Sequence, residues 1–424
     1  MGSCRSQMAT DLQTKASTSN LASDPNKEEQ NANTAPGPQT KDAGQTIVQD
    51  KTMKLGDDIN LAEQNDVKLD PNLEKNEYPD LSGAKSLMAK YLTREIFEKL
   101  KDKKTSTGFT IARAVNTGVL NKEKSLTGCH AGDVDSYTIF EEFFDPLIEE
   151  YHRGFKPSDN HVTDMDHTHL KGNITDPSKI ISTRIRVARN ISGFNLAPGQ
   201  NSKEEKLQIE ALMLQVFAEL KDDLAGHYYS LAKISEEERQ ELVREHLLFK
   251  GNDKMQADSG YHRWWPHGRG IYLNHKNTFA VWLNEGDHIR VISIQQGGDV
   301  SSVFTTLVKG VNTIEMLLMK LDNRSFQTTE HLGMITCCPT NLGTGLRGGV
   351  LIQLQKVVEK LGEDGLKKWS HENHLQVRGL YGEHSDTTSA IYDISNKYRL
   401  GYSEVQLVQF VIDGVNQLIE MEYH

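Results

Sequence analysis

None of the four Trp, thirteen Tyr and thirteen Phe residues of this 424-residue chain occurs before Tyr78. Aromatic side chains bring the largest single blocks of buried area to a core, so whatever folds here is built from residues 78–424. From Ser17 to Thr46 the early segment is dominated by Ser, Thr, Asn, Gln, Ala, Pro and charged residues. Such a composition cannot bury enough apolar surface to offset the entropy lost on ordering, and residues 1–77 read as a disordered tail. Its opening, MGSCRS, fits the myristoylation pattern: Gly2 is the acceptor once Met1 is removed, Ser6 stands at the required place, and Cys4 can take a second, reversible acyl chain. Two chains would tether the protein to a membrane, where one binds only marginally. The alternative is a chance match in a flexible tail.

From Tyr78 the composition is that of a folded protein, long enough for two packed domains. Leu87, Met88, Tyr91, Leu92, Ile96, Phe97 and Leu100 recur at helical spacing, as do Tyr137, Phe140, Phe143, Phe144 and Ile148. These stripes predict a small helical domain over 78–160. A stretch rich in His, Asp and Gly, from about Gly154 to Pro177, marks a linker, assigned to 161–176. Beyond it, from 177 to 424, alternating runs at Ile180 to Val187, Gly270 to Asn274, Phe279 to Leu283 and His288 to Ile294 predict strands. Between them, Ser202 and Glu205 form a capping box ahead of a helix from Leu207 to Leu220. Val303, Phe304, Leu307, Val308, Val311, Ile314 and Leu318 mark another helix. The second region is thus a sheet flanked by helices, and no internal repeat is visible.

Several function classes are excluded early. No apolar run reaches the ~20 residues that cross a bilayer, and no positively charged start leads into an apolar signal segment. The net charge of -11 argues against a nucleic-acid partner, which would call for a basic footprint. Only Cys4, Cys129, Cys337 and Cys338 occur, two of them adjacent, so a disulfide framework is not expected and a reducing, cytoplasmic compartment fits.

Chemistry concentrates in CPTNLGTGLRGG, Cys338 to Gly349. Gly343, Gly345, Gly348 and Gly349 permit backbone conformations that side chains forbid, so a phosphate can lie close to the loop. Thr340 can donate a hydrogen bond to a Cys338 thiolate, and Arg347 adds positive potential. In STRIRVARN, Arg184 and Arg186 alternate along a predicted strand and therefore share one face. On its own this is an ordinary solvated strand face. Arg290, Arg347 and Arg378 add to it the parts of a cradle that neutralises a transferring phosphoryl group through bidentate hydrogen bonds.

The loop resembles the signature of the phosphagen kinases, the ATP:guanidino phosphotransferases. EYPDLS, FDPLIEEYH, STRIRVAR, RGIYLN, VWLNEGDHIRVIS, EHLG, VRG and DISN resemble family blocks in the family's order, from Tyr78 to the C-terminus. The resemblance implies an α+β fold, a small N-terminal helical domain followed by a larger catalytic domain with an antiparallel sheet flanked by helices. It implies that Arg184, Arg186, Arg290, Arg347 and Arg378 hold the phosphates of ATP or ADP and the planar transferring group. Ser182, His246 and Asp393 would lie near the nucleotide, as would Thr183, Ile185, Gly348, Gly349, Val350 and Gly379. Mg2+ would bridge the phosphates, with no residue assigned as a direct metal ligand. Cys338 would sit against the guanidino end of the substrate, Trp282 would line the site, and a homodimer follows by analogy.

Two positions depart from the family pattern. Gly286 stands where the family has the glutamate that grips the guanidinium, and Leu351 stands where it has a histidine. Glu285 and Glu383 are the carboxylates available to compensate. Glu383 in GLYGEH occupies a place where arginine-using members carry a guanidinium-binding carboxylate. Tyr151 matches arginine-specific relatives, and the loop between Gly118 and Gly132 is shorter than in creatine kinases. His130 and Lys124 would instead suit a sulfonate or phosphodiester tail. Arginine is the first expectation for the substrate, and a weakened nucleotide-binding relative is the alternative.

Overall fold

The computed structural model of the chain describes residues 66–199, 201–379 and 390–424. The N-terminal part is helical, with α1 (Pro71–Glu74), α2 (Leu87–Tyr91), α3 (Arg94–Leu100), α4 (Ile111–Leu120), α5 (Ser136–Ile139) and α6 (Glu141–Tyr151). Each apolar stripe expected to form one helix forms two. In the first, the Thr93 hydroxyl accepts from Ile96 N–H and caps a new helix at Arg94, so the backbone turns after Leu92. In the second, the break falls at Phe140, which closes α5 and opens α6. The periodicity still reports burial: Met88, Leu92, Phe97 and Leu100 pack with Tyr137, Phe140, Phe143, Phe144 and Ile148 in one cluster.

Order also begins before Tyr78, which corrects the extent of the expected tail. Asp70 caps α1 by accepting from Asn72 N–H, donates its own N–H to Asn116 Oδ1 at 3.0 Å, and leads Leu73 into the helical cluster. A short apolar anchor holds because α4 supplies a preformed partner. Residues 1–65, including Gly2, Cys4 and the acylation pattern, lie outside the described residues.

The larger part contains β1 (Ile180–Arg189), α7 (Lys203–Glu219), β2 (Gly226–Ser230), α8 (Glu236–Arg244), α9 (Lys254–Asp258), β3 (Gly270–Asn274), β4 (Phe279–Leu283) and β5 (Ile289–Gln296). It continues with α10 (Val300–Asp322), β6 (Thr328–Thr329), β7 (Gly333–Met334), β8 (Leu346–Gln353), α11 (Gln355–Glu372), β9 (Leu375–Gly379), β10 (Ile391–Asn396) and α12 (Glu404–Tyr423). The Ser202–Glu205 capping box is present in both directions at the start of α7. Eight strands form one antiparallel sheet in the order β2-β3-β4-β5-β1-β8-β10-β9.

The two faces of this sheet have different fates. Ile185 and Val187 of β1, Val281 of β4, Val291 of β5, Val350 and Ile352 of β8 and Ile394 of β10 point to one face. There α7, α10, α11 and α12 bury them in the main core. On the opposite face, only half of the sheet is covered by apolar packing. Ile271, Leu273, Ala280, Trp282 and Ile292 pack there under Leu231, Leu248 and Phe249. The other half, on β1, β8 and β10, carries the polar residues of the site.

Three buried imidazoles tie loops to this framework and make acid a specific stress. His288 accepts from Ile191 N–H through Nδ1 and donates to Asn195 O through Nε2, while His152 donates to Pro339 O at 3.0 Å. Burial pushes His288 and His262 down to about 4 and His152 to about 3. Each folded value lies below the ordinary 6.5, so the stability they contribute is complete above pH 6.5 and is lost as pH falls toward the folded values. The loss is about 1.4 kcal/mol per pH unit for each histidine at most. Thermal melts across this interval should show a steep fall in melting temperature. A flat profile would mean that the imidazoles are protonated inside the fold.

Candidate active site

The polar half-face is assembled by register between strands distant in sequence. Arg186 on β1 pairs with Arg347 on β8, Arg184 with Gly349, and Ser182 with Leu351. Across β5, Ala188 lies opposite Arg290, which in turn lies opposite Trp282 on β4. Asp393 on β10 sits between Leu351 of β8 and Arg378 of β9. Directly paired residues share a face, so Ser182, Arg184, Arg186, Trp282, Arg290, Arg347, Gly349, Leu351, Arg378 and Asp393 all project to one side.

Arginines this close repel one another. Arg184 is pushed down to about 10 by burial and then by Arg347 and Arg290. Arg186 is pushed well down by burial, then by Arg184, Arg290 and Arg347. Guanidinium groups remain protonated, so these shifts mark electrostatic repulsion across this face. The repulsion is unevenly relieved. Arg347 donates to Asp393 Oδ2 at 2.8 Å and to Ser395 Oγ at 3.2 Å. Arg290 is ion-paired to Glu285 Oε2 at 2.9 Å; burial works to lower it, and Glu285 and Asp287 outweigh burial. The guanidinium of Arg184 lies 5.3 Å from the Trp282 ring centroid. Neither Arg184 nor Arg186 makes a side-chain hydrogen bond or ion pair among the described residues. Concentrated positive charge of this kind suits a polyanion.

Cys338 borders this face and is held from two sides. From the helical part, Ala131 N–H donates to Cys337 O at 2.7 Å, Tyr137 OH to Thr336 O at 2.8 Å, and His152 to Pro339 O. From the sheet part, Asp287 Oδ1 accepts from Cys337 N–H and from Asn190 Nδ2, each at 2.8 Å. The Cys338 sulfur lies 3.1 Å from Thr340 Oγ1, the contact expected from CPT, and 3.9 Å from Thr127 Oγ1 in the loop after α4. The neighbouring Cys337 is fully buried, and burial, then Asp287, pushes its thiol well up, which keeps it inert.

In the glycine-rich loop, two glycines let the chain approach its own backbone closely. Gly343 (φ +88°) brings its backbone so close to Arg399 that a Cβ would lie 2.5 Å from the carbonyl oxygen. Gly345 (φ +61°) does the same against Ala188 O, at 2.7 Å. Their freedom seats the loop on the protein's own backbone. Arg347, Gly348 and Gly349 are already part of strand β8.

The remaining predicted residues divide by strand alternation. Thr183, Ile185, Gly348 and Val350 point away from the arginines: the Thr183 hydroxyl donates to Gly297 O at 2.8 Å, Ile185 and Val350 lie in the main core, and a Cβ on Gly348 would meet Ile185. Gly379 closes β9 opposite Tyr392. His246 is exposed with φ +59°, one residue before Leu247, whose carbonyl takes the Trp282 indole N–H at 2.7 Å. Tyr151 ends α6 edge-on to His152 at 4.8 Å between centroids. Arg378 donates to Gln376 Oε1 at 3.2 Å. Glu383 lies outside the described residues.

The two departures also have places. Leu351 is on the arginine-bearing face, half-buried beside Ser182 and Asp393. Gly286 is buried, and a Cβ there would point at Arg290, 3.2 Å from Nη2. Glu285 is 8% exposed and accepts from Gln256 Nε2 at 3.1 Å on Oε1. Asn190, Asp287, Gln256 and Thr127 escaped the sequence reading, because their partners are far away in the chain.

Comparison with known proteins bears on this site. Residues 82–149 match the family model "ATP:guanido phosphotransferase, N-terminal domain", and residues 208–424 match "ATP:guanido phosphotransferase, C-terminal catalytic domain". The chain is 45% identical over 359 residues to an arginine kinase of Anthopleura japonica, covering 82% of this chain and 48% of that one. It thus spans about half the length of that relative. It is also 45% identical over 354 residues to the creatine kinase B-type of Gallus gallus, covering 82% of this chain and 91% of that one. Among solved structures, a lombricine kinase superposes with a TM-score of 0.76 at 37% identity, over 82% of this chain and 95% of that one.

Proposed function

The chain belongs to the ATP:guanido phosphotransferase family, and from that premise we propose that it moves the γ-phosphoryl group of MgATP reversibly onto a guanidino compound, buffering the ATP supply. The observation that carries this reading is the pair Arg184 and Arg186, which make no side-chain hydrogen bond or ion pair among the described residues and stand beside Arg290, Arg347 and Cys338. A nucleotide polyphosphate relieves the charge repulsion that the unliganded face bears, so the residues present fit it.

Mg2+ would neutralise charge on the phosphate oxygens when bound with the nucleotide. The chain's own residues position the reactants. Arg184, Arg186, Arg290 and Arg347 align the transferring group, while Glu285 accepts N–H bonds from the guanidinium and Cys338 Sγ flanks its other side. Alignment of this kind supplies most of the acceleration in phosphoryl transfer.

Arginine is the favoured substrate over taurocyamine, lombricine or glycocyamine, with creatine least favoured. His130 bears on taurocyamine and lombricine. Its Nδ1 is engaged with Ser259 Oγ at 2.8 Å and burial pushes it down to about 4, so it brings no positive charge for a sulfonate or phosphodiester tail. A cytoplasmic homodimer, tethered to membranes when Gly2 and Cys4 are acylated, completes the proposal. Gly286 and Leu351 favour a second reading, a relative that binds nucleotide and has lost turnover.

A coupled assay of ADP release with arginine, taurocyamine, lombricine, glycocyamine and creatine tests both. Turnover is expected, highest with arginine. Calorimetric binding of MgATP without turnover on any of the five would establish the second reading instead.

A further inference from the structure

Glu285 adjoins the gap at Gly286 in the turn between β4 and β5, and its carboxylate is held by partners outside that turn. Arg290 holds Oε2, and Gln256 Nε2, from α9, donates to Oε1 at 3.1 Å. The Gln256 amide is held in turn, since its Oε1 lies 3.2 Å from His262 Nε2. His262 is 1% exposed, and its ring is edge-on to Trp265 at 5.8 Å. The chain of bonds has one possible polarity. A carboxylate only accepts, so the amide presents its NH2 to Glu285 and its carbonyl to His262, whose proton must then sit on Nε2. Burial keeps that imidazole neutral, pushing it down to about 4.

We propose that Gln256 and His262 are positioning residues for Glu285, keeping its Oε1 from Arg290, which already pairs with Oε2, and turning that oxygen toward the guanidino substrate in place of the side chain that Gly286 lacks. The inference rests on the reading of Glu285 as the guanidinium clamp. Among the described residues Gln256 is the hydrogen-bond donor to Oε1, and without it both carboxylate oxygens would be drawn onto the Arg290 guanidinium in the bidentate arrangement that such pairs favour. The clamp would then be withdrawn from the substrate, and Arg290 would be neutralised against the phosphate.

The support extends to the helical part of the molecule. Asn116 Nδ2 donates to Asp258 O at 3.0 Å, Thr117 Oγ1 to Met255 O at 2.9 Å, and Asn121 Nδ2 to Asp258 Oδ2 at 2.7 Å, which fastens α9 to α4. Ser259 Oγ adds the contact to His130 in the loop that also carries Thr127 beside Cys338. The two groups flanking the guanidinium, Glu285 and Cys338, are therefore registered against the same α4 and loop.

The test is a double-mutant cycle in the full-length protein, with Gln256→Leu, Glu285→Gln and the pair together. The readouts are kcat and KM for the five guanidino compounds with MgATP, and calorimetric binding of the same compounds in the presence of MgADP and nitrate, a planar oxyanion of the shape of the transferring group. Gln256→Leu is expected to lower kcat/KM, and to weaken guanidino binding, on the order of tenfold, with MgADP binding alone unchanged. In the Glu285→Gln background it should have no further effect. Additive losses, or no loss from Gln256→Leu, would overturn the positioning role and leave the kinase reading standing. If the wild type neither turns over nor binds any of the five, the kinase reading fails and this inference falls with it. Should Gln256→Leu not fold, His262→Phe, which keeps a ring against Trp265 and removes the N–H, must show the same non-additivity for the proposal to survive.

Discussion

Replacing Arg186 with methionine is expected to cut turnover by about a thousandfold while raising the melting temperature of the unliganded protein. The two effects have one cause. Arg186 makes no side-chain hydrogen bond or ion pair among the described residues, and burial together with Arg184, Arg290 and Arg347 stresses its charge. Methionine keeps most of the aliphatic stem and removes the charge, which relieves its three neighbours. Replacement of poorly compensated buried charge by apolar volume is commonly neutral or stabilising, and a gain of 1 kcal/mol would appear as roughly 1–2 °C in a folded part of this size. Activity moves the other way. A guanidinium aimed at the transferring group is worth about 10³ or more in rate, and here the fold itself supplies no substitute. MgATP should also stabilise the variant less than it does the wild type. A variant that loses activity and melts lower would mean that Arg186 has a structural partner and that the arginine face is not held in tension for a ligand.

The second large effect is a gain. Gly286→Glu is expected to raise kcat/KM for the guanidino substrate by roughly ten- to a hundredfold, the scale on which a positioned carboxylate acts as clamp or base. The backbone at Gly286 is not in the positive-φ region that penalises side chains, and the group nearest a new Cβ is the far end of Arg290, 3.2 Å away. A glutamate there reaches the arginine-rich face and meets opposite charge. It would also compete with Glu285 for Arg290, freeing Glu285 toward the substrate. The measurement is steady-state kinetics with arginine and MgATP on the two proteins side by side. If the substitution lowers kcat/KM in a protein that still melts normally, the single clamp of Glu285, Gln256 and Arg290 is the working arrangement and Gly286 is part of it.

Much of the architecture was legible from local pattern. The alternation in Ile180 to Val187 implied that Arg184 and Arg186 share a face, and they do, because side chains on a strand alternate whatever its neighbours are. The Ser202–Glu205 capping box began its helix as expected, since both of its bonds close within four residues. The helical stripes identified buried residues correctly and missed two breaks, since Thr93 caps a helix as readily as it sits inside one. The expected tail ran too far because Leu73 is anchored by α4, a partner that composition does not reveal. In the glycine-rich loop the residues pointed to tight backbone approach, and the approach is real, yet at Gly343 and Gly345 the close neighbour is the protein's own carbonyls.

By itself, then, the sequence determined the family, the α+β class, the two-sided strands and the inventory of arginines, cysteine and carboxylates, all properties of local spacing or of residue identity. Tertiary structure decided what those residues face. Arg347 lies beside Arg186, and Arg290 opposite Ala188, only because β8 and β5 both pair with β1, more than a hundred residues away in the case of each. Glu285 owes its orientation to Gln256 and His262 on a segment fastened to α4. Strand register and helix docking are fixed by the burial of the whole apolar face at once, so no short stretch of sequence carries them. That is why the departure at Gly286 reads as a gap along the chain and, in three dimensions, as a neighbouring carboxylate held by Gln256 and Arg290.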